Sequence, residues 1–293
     1  MTSETALIET NPGRLSRAAP ISWRHRLRRS KWGLRTGLVI VGCYVILAVF
    51  APLIAPYGPN EQNISIALQG PSWHHLVGTD SLGRDEFSRL VFAARFDLLL
   101  AVSATGMALI IGTAIGVLAG FFRGYVDTLL SRITDMLMAI PLYPLLVLML
   151  FVLGSGMVSV IVVLAVTDWV GYARLARGQV LVMREQNFIA AARLGGLRSA
   201  RVMFRHLLPN VSSQLLVLWS SDIVMAIGTI AALGYLGIGI QLPTAEWGVM
   251  VQDGQNYLLT DWLLSFAPGM AIAVLGIGLA LISDGIAGKG RTL

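Results

Sequence analysis

Four long stretches of this chain carry no charged residue: 36–60, 98–122, 136–167 and 262–283. A fifth, 207–236, carries only Asp222. Crossing the hydrocarbon of a bilayer takes about 20 apolar residues, so each stretch is long enough to span. The 136–167 stretch is interrupted at Gly154-Ser155-Gly156, which reads as a tight turn between two spans. The pattern predicts six transmembrane helices at about 37–57, 98–121, 134–153, 157–175, 210–237 and 263–283. Only 13% of the 293 residues are charged, against about a quarter in a soluble domain, which argues against a large soluble protein with buried helices. The fold class is therefore an all-α membrane protein.

Charge sets the orientation. Of 22 Lys and Arg, eight precede the first span: Arg14, Arg17, Arg24, Arg26, Arg28, Arg29, Lys31 and Arg35. Arg123 and Arg132 flank the second turn, and seven more, from Arg174 to Arg205, lie between spans four and five. With Lys289 and Arg291 these fall on one side of six alternating spans, leaving only Arg84, Arg89 and Arg95 on the other. The positive-inside rule puts both termini in the cytoplasm. The net charge of +6 is thus mostly a topology signal, and the basic N-terminus abutting a span argues against a nucleic-acid partner.

The chain divides into a flexible basic arm over 1–35, whose "WRHRLRRSKWGLR" suits the membrane surface, and a first span with an outer loop over 36–97. A core of five spans follows over 98–286, and a short cytoplasmic tail over 287–293. No cleavable signal is expected, because the basic start leads into a full-length span. Cys43 is the lone cysteine and is expected as a small buried hydrophobe. The pair His74-His75 lacks a third ligand at a suggestive spacing, so no metal site is expected. "GIAGKGRT" has the wrong glycine spacing and a helix-end context for a phosphate loop. The chain is expected to be no enzyme and to bind no cofactor itself; its energy source is another chain or an ion gradient.

Two acids lie inside spans: Asp168 in "VTDWVGY" and Asp222 in "WSSDIVMAIG". A carboxylate in hydrocarbon is costly and should face a cavity or a partner chain. Both are candidates to line a passage and attract a cation or another positively charged group; a structural hydrogen bond is the alternative. Asp135 and Asp284, near the cytoplasmic ends, are expected to pair with Arg132 or to be solvated. Pro141 and Pro144 are expected to kink span three.

The densest internal cluster of charge is "FIAAARLGGLRSARVMFRHLLPN", from Phe188 to Asn210, in the cytoplasm between spans four and five. "NFIAAARL" has high helix propensity from Ala190, Ala191 and Ala192, and Gly195-Gly196 ends or turns that helix. "LRSARVMFRHLLP" begins a second helix that feeds span five. Helix, glycine break, helix, with small side chains and flanking arginines, has the shape of a docking element.

This segment resembles the cytoplasmic signature loop of binding-protein-dependent ABC importer permeases: Glu-Ala-Ala, three residues, Gly, nine residues, Ile-x-Leu-Pro. The matching positions are Ala190, Ala191, Ala192, Gly196, His206, Leu208 and Pro209. Ala190 departs from the leading acid and His206 from the isoleucine. "HHLVGTDSLGRDEFSRLVFAAR", "LGYLGIGIQLPTAEWGVMVQDG" and "FAPGMAIAVLGIGLALISDGI" resemble the C-type subunit of the peptide/nickel branch. Thr229-Ile230 stands where relatives often carry an acid.

The resemblance implies a type I ABC importer permease fold in the bacterial inner membrane. It implies a second permease subunit, two cytoplasmic ATPase subunits carrying ATP and Mg, and an extracytoplasmic solute-binding protein. Within a coupling loop over 184–209, it implies ATPase contacts at Ala190, Ala191, Ala192, Arg193, Gly195, Gly196, Leu208 and Pro209. The implied solute is a di- or oligopeptide, with nickel or a metal chelate as the alternative within the family. A gradient-driven secondary transporter is the alternative of another class; it would leave the docking loop without use, and the chain shows no internal repeat.

Overall fold

A computed structural model describes residues 23–290. Residues 1–22 of the expected arm and 291–293 of the expected tail lie outside the described residues. Among the described residues the chain is helical, apart from one bridge between Thr79 and Asp85. Helix α1 (Trp23–Val49) is followed by the short α2 (Ala51–Ile54) and a long outer loop. Then come α3 (Glu86–Phe122), α4 (Tyr125–Ala139), α5 (Leu142–Leu153) and α6 (Met157–Met183). The segment between α6 and α9 holds α7 (Asn187–Leu194), α8 (Ser199–Val202) and a π-helical turn, Met203–Leu207. Helix α9 (Leu208–Tyr235), α10 (Trp247–Gly254) and α11 (Leu263–Gly290) complete the chain. Five helical stretches are long and apolar enough to cross a membrane, or six if α4 and α5 form one broken span.

Helix α3 organises the bundle. Gly112, Gly116 and Gly120 lie four residues apart, on one face, and press onto the α6 backbone. A Cβ on Gly112 would fall 2.3 Å from the Trp169 carbonyl, one on Gly116 2.3 Å from that of Ala173, and one on Gly120 2.9 Å from that of Arg177. Small residues at this spacing let helix axes approach closely, which is how apolar helices gain packing contacts when lipid removes the hydrophobic drive. One apolar core joins α3, α5, α6, α9, α10 and α11 around Leu100, Leu164, Ile227 and Trp247. A second lies at the end of the bundle that carries α7 and α8, around Tyr172, Ala176, Ile189, Leu207 and Val211.

Several expectations are corrected. Span three is not one kinked helix over 134–153: α4 begins at Tyr125 and meets α5 at a 95° bend. Pro141 caps α5 at that break, where its missing N–H costs nothing, and Pro144 sits in the first turn. Residues 23–35 belong to the continuous helix α1 and not to a flexible arm. Cys43 is exposed on α1, because α1 packs one face on α11 and turns the other outward. Asp135 pairs with Arg174 at 3.3 Å and not with Arg132, because α6 lies alongside α4. Asp284 is exposed, as expected.

The outer loop is pinned to the head of α3. Asp85 caps the helix by accepting from the Ser88 N–H (2.8 Å) and hydroxyl (2.6 Å), and its other oxygen meets His75 Nδ1 at 2.9 Å. The His75 ring stacks on Tyr57 at 5.0 Å. Arg84 donates to Asp80 at 2.5 Å and reaches Asp253 near α10 at 3.6 Å; Arg89 donates to the Pro59 carbonyl at 3.1 Å. Arg84 and Arg89 are thus buried structural cations, whereas Arg95 is exposed, and His75 is spent on the α3 cap.

Candidate translocation cavity and docking loop

Asp168 on α6 and Asp222 on α9 lie more than fifty residues apart in sequence but line one cavity of about 260 Å³. Thr167, Gly171 and Thr229 share its wall, with Leu142, Leu218 and Met225 supplying apolar surface. The Thr167 hydroxyl lies 3.3 Å from Asp168 Oδ1. The Tyr172 hydroxyl, one helical turn further along α6, is buried with no hydrogen-bond partner among the described residues. The site therefore concentrates negative charge in an apolar setting, the arrangement that holds a cation or an ammonium group. Both sequence candidates are brought together. Tyr172 and Thr229 were not among the candidates; Tyr172 sits four residues after Asp168, one helical turn on, which is the signal that could have found it.

Expected loop residues 188–210 fold as helix, glycine break, helix. Ile189 is fully buried in the second core, which fastens α7 to α6 and α9. Ala190 and Ala191 are exposed, and Leu194 is 90% exposed. Arg193 lies on α7, but its side chain is outside the described residues. Gly196 takes φ +77° at the end of α7, where a left-handed residue closes a helix. Gly195 continues the exposed turn with ordinary φ. Pro209 enters α9 in its first turn, where no N–H is needed, and Leu208 is half-buried beneath it. The result is a small-residue surface with one protruding leucine, held rigidly on the ends of two spans.

Residues 112–289 match the family of binding-protein-dependent transport system inner membrane components. The chain belongs to that family. It has the type I ABC importer permease fold and is a multi-pass inner membrane protein. Residues 21–71 match the N-terminal transmembrane domain of oligopeptide transport permease C. The chain is 36% identical to the dipeptide transport system permease of Alkalihalophilus pseudofirmus, over 90% of this chain and 88% of that protein. It is 37% identical to the nickel transport system permease of Escherichia coli K12, over 88% and 93%. It is 35% identical to the oligopeptide transport system permease of Bacillus subtilis, over 89% and 85%. These relatives are all permease subunits of transport systems.

A second acidic feature of this permease was not singled out in the sequence. Glu246 is fully buried and caps α10 by accepting from Gly248 N–H (2.7 Å) and Val249 N–H (2.8 Å). Asp97 of α3 accepts from the neighbouring Trp247 N–H at 3.2 Å. A Cβ on Gly234 of α9 would fall 2.0 Å from Glu246 Oε2. Three helices thus meet on two acids. Burial pushes the Glu246 carboxyl up from 4.5 to about 7, against the pull of its two backbone donors. The folded chain holds a proton here that the unfolded chain releases. Stability from this group is therefore full below the unfolded value of 4.5 and lost as pH rises through about 7. Glu246→Gln should flatten the pH dependence of thermal unfolding across that window; an unchanged slope would assign the dependence to other groups.

Proposed function

We propose that this chain is the C-type permease subunit of an ATP-driven importer for di- or oligopeptides. The observation that carries it is the conjunction of a rigidly anchored, small-residue docking loop with an acidic cavity between α6 and α9. Import driven from the cytoplasm needs both: a surface on which another chain can push, and a path that the push can open. The peptide branch is favoured by the match to oligopeptide permease C at the N-terminus and by the dipeptide and oligopeptide permeases among the relatives. A free peptide carries an ammonium group at its N-terminus, which suits two acids in an apolar wall. Nickel is the second reading, favoured by the similarity to the nickel permease.

In this reading the chain hydrolyses nothing. Two cytoplasmic ATPase subunits bind ATP and Mg, and the loop over 184–209 seats in one of them through Ala190, Ala191, Ala192, Arg193, Gly195 and Gly196, with Leu208 and Pro209 passing the movement to α9. A second permease completes the channel, an extracytoplasmic binding protein delivers the solute, and both termini lie in the cytoplasm. The basic segment over 1–35, which from Trp23 is the start of α1, the first span and outer loop over 36–97, the core over 98–286 and the tail over 287–293 are its functional divisions. ATP binding closes the ATPase pair, α7 follows, and the cavity at Asp168 and Asp222 changes its side of opening.

The test is uptake in cells lacking only this chain, with labelled dipeptide, longer peptide and nickel supplied separately. Restoring the wild-type chain should recover peptide uptake. An Asp168→Asn/Asp222→Asn chain should reach the membrane in equal amount yet recover about a tenth or less, the loss of at least one charge contact in an apolar site. Recovery of nickel uptake alone would move the assignment to a metal importer. Full peptide uptake by the double variant would remove the two acids from the path.

A further inference from the structure

A second, larger concavity lies away from the acidic cavity. It is a groove of about 530 Å³ between α3 and the start of α9, walled by Ile110, Ala114 and Leu118 on one side and Phe204, Leu208 and Ser212 on the other. The lining is apolar except for hydroxyls such as those of Thr113 and Ser212. The acidic cavity opens between α6 and α9, so the two occupy different flanks of α9.

The depth of the groove is informative. The uncharged run that ends in α9 begins at Leu207, just past Arg205 and His206. From Leu208 to Leu216, the last lining residue of α9, the helix rises about 12 Å, which is close to half of the ~30 Å hydrocarbon core. On α3 the lining runs from Leu109 to Leu118, a similar rise of about 13 Å. The groove is therefore about as deep as one leaflet, and its shallow end lies where the uncharged run of α9 meets Arg205 and His206.

That end is positively charged. Arg201 precedes Phe204 by three residues, on the same helix face one turn nearer the cytoplasm, and Arg205 follows Phe204 directly. Both arginines are exposed, and neither has an ion pair among the described residues, whereas Arg84, Arg174 and Arg177 are paired. The π-helical turn Met203–Leu207 sits between the arginines and the groove, and such turns are frequent at functional sites. An apolar slot about one leaflet deep, with unpaired arginines on the chain segment that leads into it, has the chemistry of an anionic phospholipid: acyl chain in the slot, phosphate at its mouth.

We propose that this groove is a binding site for an anionic phospholipid of the cytoplasmic leaflet, with its headgroup held by Arg201 and Arg205. The site adjoins the π turn that joins the docking loop to α9, so the bound lipid bears on the segment that must move. It does not depend on which solute is carried.

The experiment is native mass spectrometry of the full chain, extracted with its partner subunits and delipidated. It is then exposed to detergent micelles containing phosphatidylglycerol or phosphatidylethanolamine. The wild type should retain phosphatidylglycerol preferentially. Arg201→Gln/Arg205→Gln should lower that retention by about 30-fold, the loss of two cationic contacts near a membrane surface. Arg201→Lys/Arg205→Lys should keep the preference. Ser212→Trp and, independently, Ile110→Trp fill the groove without altering charge and should displace both lipids. Undiminished phosphatidylglycerol retention in the Gln variant would overturn the proposal. So would a photoreactive residue at position 110 that labels the second permease, or another protein, and no lipid. Uptake assays on the same variants keep the result separate from the transport reading, because lipid retention is read without solute.

Discussion

Gly116→Leu is expected to remove the chain from the membrane, while Gly106→Leu on the same helix leaves it at normal levels. Both residues lie within α3, and both substitutions add the same side chain. The difference is in what the new atoms meet. A Cβ at position 106 meets no heavy atom within 4 Å, whereas one at 116 falls 2.3 Å from the Ala173 carbonyl and 2.8 Å from the Ala176 Cβ. Overpacking a tight core costs about 1–3 kcal/mol when side chains can shift aside. Here the obstacle includes a backbone carbonyl in the middle of α6, which cannot rotate without breaking its own helix. The helices must separate, and the second core around Tyr172 and Ala176 opens with them. Immunoblots of membrane fractions and thermal unfolding in detergent read the effect. Equal accumulation of the two variants would disprove the close α3–α6 approach.

Gly196→Val is expected to leave the chain in the membrane and lower ATP-coupled uptake about tenfold or more. Space is not the reason, since a Cβ at Gly196 would meet nothing within 4 Å. The reason is its φ of +77°, which a β-branched residue adopts only at a cost of about 1–2 kcal/mol. The turn then relaxes to negative φ and swings α7 away from its present direction. Ile189 anchors one end of α7 in the core, so the exposed end carrying Leu194 takes the displacement. A loss of uptake of tenfold or more, on the order of that strain, is expected at unchanged membrane abundance. Gly195→Ala, at a residue without positive φ and with its nearest contact at 3.4 Å, should transport nearly as the wild type does. Normal uptake by Gly196→Val would argue that the loop does not transmit force.

The spans were legible because hydrocarbon forbids charge, and the charge-free stretches mark five of the crossing helices directly. The docking loop was legible for a related reason: its glycine pair and alanine run are local signals, and α7 follows them within a residue. Where charged residues are structural, the same signal fails. Helix α3 begins at Glu86, a dozen residues before its uncharged run, because Glu86, Arg89 and Asp97 are buried there among partners from the outer loop and α10. Helix α4 begins at Tyr125 although it carries Asp127, Arg132 and Asp135, since Arg177 and Arg174 on α6 meet its two acids. Asp168 and Asp222 stood out as isolated acids, but that they share one cavity is a tertiary fact. The Asp97–Glu246 meeting was out of reach, because Asp97 and the Trp247 N–H it accepts from are 150 positions apart.

The length of α3 gives the molecule a mechanical property. Its 37 residues make a rod of about 55 Å, nearly twice the thickness of the hydrocarbon. One end is bolted to the outer loop through Asp85, and the other ends at Arg123, whose guanidinium reaches Glu185 beside the docking loop at 2.8 Å. The glycine row clamps the Arg123 half of the rod to α6. Such a rod behaves as a lever: a tilt of about 10° about its midpoint carries each end about 5 Å in opposite directions. A displacement at the Arg123 end of α3 is thus carried to its other end, at the buried arginines and acids around Asp85, without any intervening chain of small adjustments.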